Sequence, residues 1–319
     1  MDGLDLPNLQ NLTSVNRMSR FMFVICGLVA ICQPLEAVVV ASGGPNNTAP
    51  GRQPFFNNVG VIGSASAIYL GDGWVMSANH VAGSLPASVN FGGTAYTTQA
   101  GSFQRLENPT HSPTLTLYTD IVLFRLDSSP ALPSVSLALS TPTVGSQVMM
   151  IGNGRTQAAT RTYWDRTVIP GSANDTWVET TEALSNISGF QTTGTQEVRW
   201  GENLVNAEQF IIDVGQGDVI SFSTGFDAAG LTHEAQGVSG DSGGAVFSYD
   251  GSAWSLSGMM YAVSTYENQP GGATTAVFGV ETAIADIASY RTQILNVIPE
   301  PSSGLLAILG GVVLVRRRR

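Results

Sequence analysis

The chain has 319 residues, 43% hydrophobic and 12% charged, with 24 acidic against 14 basic residues and a formal net charge of −10. This length buries a sizeable core in one large or two small domains, and the acidic balance excludes the basic stripe of a nucleic-acid footprint. Every basic residue is an arginine or histidine, so Ser-Lys dyads, Schiff-base lysines and P-loop lysines are excluded.

Taken in chain order, the first feature is an apolar run from Phe21 to Cys32, preceded by Arg17 and Arg20. It has the length of a signal-peptide core and is short for a membrane span. Cleavage after Ala37 or Ala41 would remove residues 1–37 or slightly more, and Met18 is an alternative start. An uncleaved anchor is the other reading. Both cysteines, Cys26 and Cys32, lie in this run, so the body beyond it has neither disulfide nor cysteine nucleophile.

The body, 38–298, opens on a Pro/Asn/Gly-rich lead-in at 43–58 and then reads as strands. They are predicted at 61–70, 74–77, 88–91, 95–100, 121–126, 147–151, 197–200, 210–214, 219–222, 245–249, 254–263 and 276–280. Gly71-Asp72-Gly73, Gly92-Gly93 and Asp250-Gly251 supply turns between them. One helix is predicted, over 281–298, where Ala283, Ile284, Ile287, Ala288 and Ile294 recur near helical spacing. The fold class is therefore all-β with a C-terminal helix.

The chemistry concentrates in three segments. In Gly237-Val238-Ser239-Gly240-Asp241-Ser242-Gly243-Gly244, glycines on both sides of Ser242 permit a tight path that exposes the hydroxyl. They also let main-chain N–H groups converge on a developing oxyanion. A plain turn is the competing reading. A serine nucleophile needs a base, and the histidines are His80, His111 and His233. His111 and His233 fall in polar loops, whereas His80 ends the apolar run 74–78, a more rigid mount. Asp120 stands directly before the apolar run 121–126, where a partly desolvated carboxylate can orient an imidazole.

Residues 73–81, 119–126 and 237–247 resemble the histidine, aspartate and serine boxes of the trypsin family, in that family's order. Gly152-Asn153-Gly154 and Phe278-Gly279-Val280-Glu281-Thr282 extend the resemblance over roughly 60–295. It implies two six-stranded antiparallel β-barrels with the site between them. Ser242 would be the nucleophile, His80 the base, Asp120 its orienting acid, and the N–H groups of Gly240 and Ser242 the oxyanion hole. Peptide or protein substrates would be cut through an acyl-enzyme, with no metal or organic cofactor. The resemblance further assigns Gln236, Tyr261, Val263 and Gly279 to substrate binding, an uncharged floor at Gln236 and a narrowing Val263 implying small or medium apolar side chains. Val81 and Val238 stand where many members carry cysteines. A new amine at Val38 would pair with Asp241, by analogy with the family's activation. Residues 155–232 have no counterpart in these motifs. A protease fold that has lost activity and serves as a matrix scaffold, and an esterase, are the rival readings. The glycine-rich serine box and the order of the three residues count against both.

The C-terminus combines Pro299-Glu300-Pro301, an apolar stretch at 305–315 and Arg316 to Arg319. The stretch is too short to cross a hydrocarbon core about 30 Å thick as a straight helix. The tripartite arrangement resembles the PEP-CTERM sorting signal of bacterial envelope proteins. That implies an exosortase-like partner, transient membrane contact through the terminal segments, and release or attachment at the cell surface. A weak tail anchor is the alternative.

Overall fold

The computed structural model describes residues 38–44, 46–109, 115–171 and 174–298. The expected leader over 1–37, the sorting tail over 299–319 and His111 lie outside these residues.

The described chain enters as β1 (Val39–Val40), fully buried. Seven strands then form an antiparallel sheet: β2 (Val59–Ile62), β3 (Ala65–Gly71), β4 (Trp74–Ala78), β5 (Ser88–Phe91), β6 (Thr94–Thr97), β7 (Gln104–Glu107) and β8 (Tyr118–Arg125). Their spatial order is β6-β5-β2-β3-β4-β8-β7, and a bridge between Thr98 and Leu126 curls the sheet towards closure. A one-turn helix, α1 (Asn79–Ala82), follows β4 directly. The predicted strand 61–70 is two strands, because Gly63 at φ +56° opens a tight turn between paired Ile62 and Ala65. The turn at Asp72-Gly73 forms as its sequence implies, with φ of +49° and +83°. Positive φ at both central residues matches the right-handed twist of the flanking strands.

The second domain comprises β9 (Gln147–Gln157), β10 (Thr162–Thr167), β11 (Thr176–Thr180), β12 (Ile187–Asp213), β13 (Asp218–Gly225), β14 (Ala235–Gln236), β15 (Ala245–Tyr249), β16 (Trp254–Val263), β17 (Thr275–Val277) and β18 (Glu281–Asp286). Pairings β12-β13-β18-β16-β15-β9, with β9 returning to β12, close a ring of six strands. Beyond that ring, the first half of the 27-residue β12 carries β10 and β17, and β11 pairs on the outside of β10. The second sheet thus holds the expected ring of six strands with three more beyond it, and the first sheet has seven. β14 pairs with β1 and brings the start of the chain onto the second domain.

The predicted helix 281–298 is corrected. Residues 281–286 are the strand β18, hydrogen-bonded to β13 on one side and β16 on the other, and only α2 (Ile287–Val297) is helical. A short apolar run buried on both faces has no period that separates strand from helix. The helix starts where Asp286 caps it, accepting the Ala288 N–H at 3.2 Å.

The largest cluster of buried side chains lies between the domains and draws Ile68, Met76 and Leu123 from the first with Ile151, Phe247 and Met259 from the second. Phe55 stacks on Phe247 with ring centroids 5.4 Å apart. Tyr290 of α2 locks the same seam. Its hydroxyl donates to Asn108 Oδ1 at 2.8 Å and accepts from the Ile220 N–H at 2.9 Å, and burial pushes its pKa up to about 12.

Candidate active site

The β4–β8 register places Ala78 opposite Ile121, so the residues just beyond the paired ends, His80 and Asp120, face one another. His80 stands in the first turn of α1 rather than at the strand end. Its main-chain N–H donates to Asp120 Oδ1 at 2.8 Å, and its ring Nδ1 lies 2.5 Å from Asp120 Oδ2. Asp120 is fully buried, while the His80 side chain keeps 17% of its surface. A buried carboxylate that accepts from Nδ1 fixes the tautomer and leaves the lone pair on Nε2.

Ser242 arrives from the other domain. Gly240 and Gly243 take φ of +106° and +84°, backbone states that side-chain-bearing residues rarely adopt. Gly243 also passes so close to the first domain that a Cβ there would collide with the Ser66 carbonyl and lie 2.5 Å from Ser77 Oγ. Ser77 lies on β4, three residues before His80. Ser66 of β3 is the fastening: its N–H donates to the Ser242 carbonyl at 3.0 Å, its hydroxyl donates to the Gly240 carbonyl at 3.0 Å, and the same hydroxyl accepts the Asn153 N–H at 2.8 Å. The serine loop is therefore pinned on the strand pair that leads into His80. Within the loop the N–H groups of Asp241, Gly243 and Gly244 are engaged by the carbonyls of Val238, Met260 and Asp241.

Asp241 is buried under this loop at 2% exposure. Burial pushes its carboxyl well above the usual carboxylate range, and the N–H groups of Val238 and Val38 and the charge of Arg199 work against that rise. Oδ2 accepts the Val238 N–H at 2.9 Å, whereas Oδ1 has no well-formed hydrogen bond. Arg199 is itself nearly buried, and desolvation lowers its pKa against the charges of Glu197 and Asp241. Gly152 is required here, since a Cβ would run into Asp241 Oδ1.

The residues assigned to substrate binding fare differently. Gln236 is buried in β14, paired with Val39, with its Oε1 unpartnered. Tyr261 turns inward, its hydroxyl 2.7 Å from Ser221 Oγ, so only its main chain, at the bulge between Met260 and Ala262, is available. Val263 is half-buried at the end of β16, and its Cγ1 lies 3.5 Å from where a Gly237 Cβ would stand. Gly279 is exposed with φ +92°. His233 is remote in role, packed edge-on against Trp200 with Nδ1 3.3 Å from Asn46 Nδ2. Among the described residues no cluster of three or more His, Cys, Asp or Glu could hold a metal, and no helix is long and apolar enough to cross a membrane.

Ser66 carried no signal in the sequence, being a polar residue inside an apolar strand. Gly152 was flagged only as a motif echo, and the structure supplies its steric reason.

Residues 42–182 match the family model described as Trypsin, a span that contains His80 and Asp120 and ends before Ser242. Among solved structures the chain is similar to neuropsin, a serine protease expressed in the limbic system of mouse brain. That similarity has 18% identity, covers 79% of this chain and 97% of that one, and has a TM-score of 0.43. It is also similar to the NS6 protease from murine norovirus 1, at 14% identity, 75% and 93% coverage and a TM-score of 0.39. No curated protein matches the chain.

Proposed function

We propose that this chain is a trypsin-like serine endopeptidase, acting outside the cytoplasm after a leader and a sorting tail have been removed. The observation that carries the reading is the buried Asp120 held on both the ring and the main chain of His80, beside a glycine-built serine loop fastened by Ser66 of β3, the strand paired with the one that leads into that histidine.

In this reading Ser242 attacks the peptide carbonyl while His80 Nε2 takes the hydroxyl proton. Asp120 stabilises the imidazolium. The N–H groups of Gly240 and Ser242 hold the oxyanion, each such donor contributing about 2.7–4 kcal/mol to the transition state. His80 then protonates the leaving amine, and water repeats the sequence to release the acyl group. Cleavage after Ala37 would place a cationic amine at Val38, whose main-chain N–H already pulls on the buried Asp241. Neutralising that carboxylate would order the loop that carries Ser242.

The leading test compares the secreted wild type with Ser242→Ala for cleavage of unfolded casein and for fluorophosphonate labelling. Loss of the nucleophile lowers the rate on the order of 10⁶-fold, and labelling disappears with it. A folded wild type with a free Val38 amine that neither cleaves nor labels overturns the endopeptidase reading and leaves the scaffold reading in its place.

A further inference from the structure

The hairpin of β10 and β11 belongs to the region without a motif counterpart, yet with Arg161 just before it, it touches Tyr266 and Phe278, both next to Gly279. We propose that this hairpin sets the size limit for substrate side chains, by holding Tyr266 against Gly279, which the resemblance assigns to substrate binding, and so closing the space there to all but the smallest residues. The inference rests on the endopeptidase reading and names the substrate class of that same site: peptides with glycine, alanine or serine on the acyl side of the cleaved bond.

The serine loop and Tyr266 both meet the stretch from Gly279 to Thr282. Gly237, at the head of the serine loop, faces Val263 and Thr282, and Thr282 is the register partner of Val263. Gly279 lies three residues before Thr282, and the hydroxyl of Tyr266 fills the space a Gly279 side chain would use. That hydroxyl donates to the Phe278 carbonyl at 3.2 Å, so it is fixed rather than merely adjacent.

The hairpin supplies the rest of the hold. Arg166 of β10 lies over the Tyr266 ring at 4.3 Å and over the Trp177 ring at 5.6 Å. Its guanidinium is anchored in turn by Asp175, at 2.6 Å and 2.8 Å, a carboxylate the Ile169 N–H and Arg166 hold below the usual range. Trp177 packs on Tyr266 at 6.0 Å and donates its ring N–H to the Glu267 carbonyl at 3.0 Å, and Asn268 donates to the Asp175 carbonyl at 3.0 Å. On the other flank, Arg161 covers the Phe278 ring at 4.7 Å, and the Phe278 N–H donates to the Ser188 carbonyl at 3.0 Å. A guanidinium between two aromatic faces and a carboxylate is stiff and directional. Such a clamp is more than a surface hairpin needs for its own stability, and its contacts converge on the two residues that shape the space at Gly279.

The test measures kcat/KM of the purified protein on two peptides that differ only in alanine or phenylalanine before the cleaved bond, with fluorophosphonate labelling as the independent readout of the catalytic centre. Wild type is expected to favour alanine by on the order of tenfold or more, the scale on which a pocket rejects excess volume. Tyr266→Ala is expected to bring phenylalanine to parity or beyond, chiefly through KM, with labelling still present. Tyr266→Phe, which keeps the ring, shifts the ratio less, and Trp177→Ala shifts it in the same direction as Tyr266→Ala. Equal use of both peptides by wild type overturns the inference. So does an alanine-to-phenylalanine ratio that stays fixed in Tyr266→Ala and Trp177→Ala while labelling persists, since a purely structural hairpin would lower stability and all rates together. Absence of labelling in the wild type overturns the endopeptidase reading itself, and this inference with it.

Discussion

Two buried aspartates flank the candidate centre, and they are in opposite conditions. Asp120, from the first domain, has one oxygen on the His80 ring and the other on the His80 main chain. Asp241, from the second, has one oxygen on Val238 and the other without a full partner, and burial drives its pKa up. The cost of burying a carboxylate falls steeply once each oxygen is hydrogen-bonded. Asp120 is a finished device. Asp241 is a carboxylate whose compensation, from the N–H groups of Val238 and Val38 and the charge of Arg199, falls short of the cost of its burial.

The sharpest way to break this contrast is at Asp120. Asp120→Asn keeps the shape but presents an amide to Nδ1, which forces the wrong tautomer, and kcat is expected to fall on the order of 10⁴-fold with little loss of folded protein. Steady-state kinetics and circular dichroism on the same preparation read both halves. A smaller effect follows at Asp241. Gly152→Ala drives a methyl into Oδ1, so destabilisation of about 1–3 kcal/mol and a slower rate of fluorophosphonate labelling are expected; denaturant unfolding and labelling kinetics measure them.

Tyr290→Phe probes the seam that seats Asp120 beside α2, since Thr119 also donates to the same hydroxyl, at 3.4 Å. The substitution strands Asn108 Oδ1 and the Ile220 N–H, and the loss is expected near the lower end of about 1–3 kcal/mol, seen as a reduced denaturation midpoint. The smallest effect is on pH dependence. A carboxyl whose folded pKa is raised holds its proton more tightly in the native state than in the unfolded chain. Stability therefore falls as pH rises above the unfolded value of about 3.8. In protein that retains residues before Val38, the melting temperature is expected to decline from pH 4 towards neutrality. Asp241→Asn flattens that decline, and a free Val38 amine, by pairing with the charged form, reduces it. Equal slopes for the extended chain and for Asp241→Asn would show that Asp241 does not titrate there.

How much of this was readable in the residues depends on burial. The strands at 88–91, 245–249 and 254–263 have the bounds read from the sequence, because apolar residues alternate or run between clear turn signals. The hairpin of β10 and β11 did not register. Its residues, Thr-Tyr-Trp-Asp-Arg-Thr and Thr-Trp-Val-Glu-Thr, are mostly exposed or half-exposed and show no apolar face of period two. The pairing of His80 with Asp120 was legible because each sits at the end of an apolar run, and adjacent strands bring such ends together. Ser66 and Tyr266 were not, since what they do depends on segments more than 170 residues away in the one case and on a clamp built by the unrecognised hairpin in the other.

The Ser66 hydroxyl has a consequence for the order of assembly. It holds Gly240 and Asn153, both from the second domain, from a strand of the first. The serine loop therefore gains this support only after the two halves have met. Under the function proposed above, a nucleophile braced by the other domain leaves no finished centre while the chain is still open, and the newly made protein is spared its own teeth.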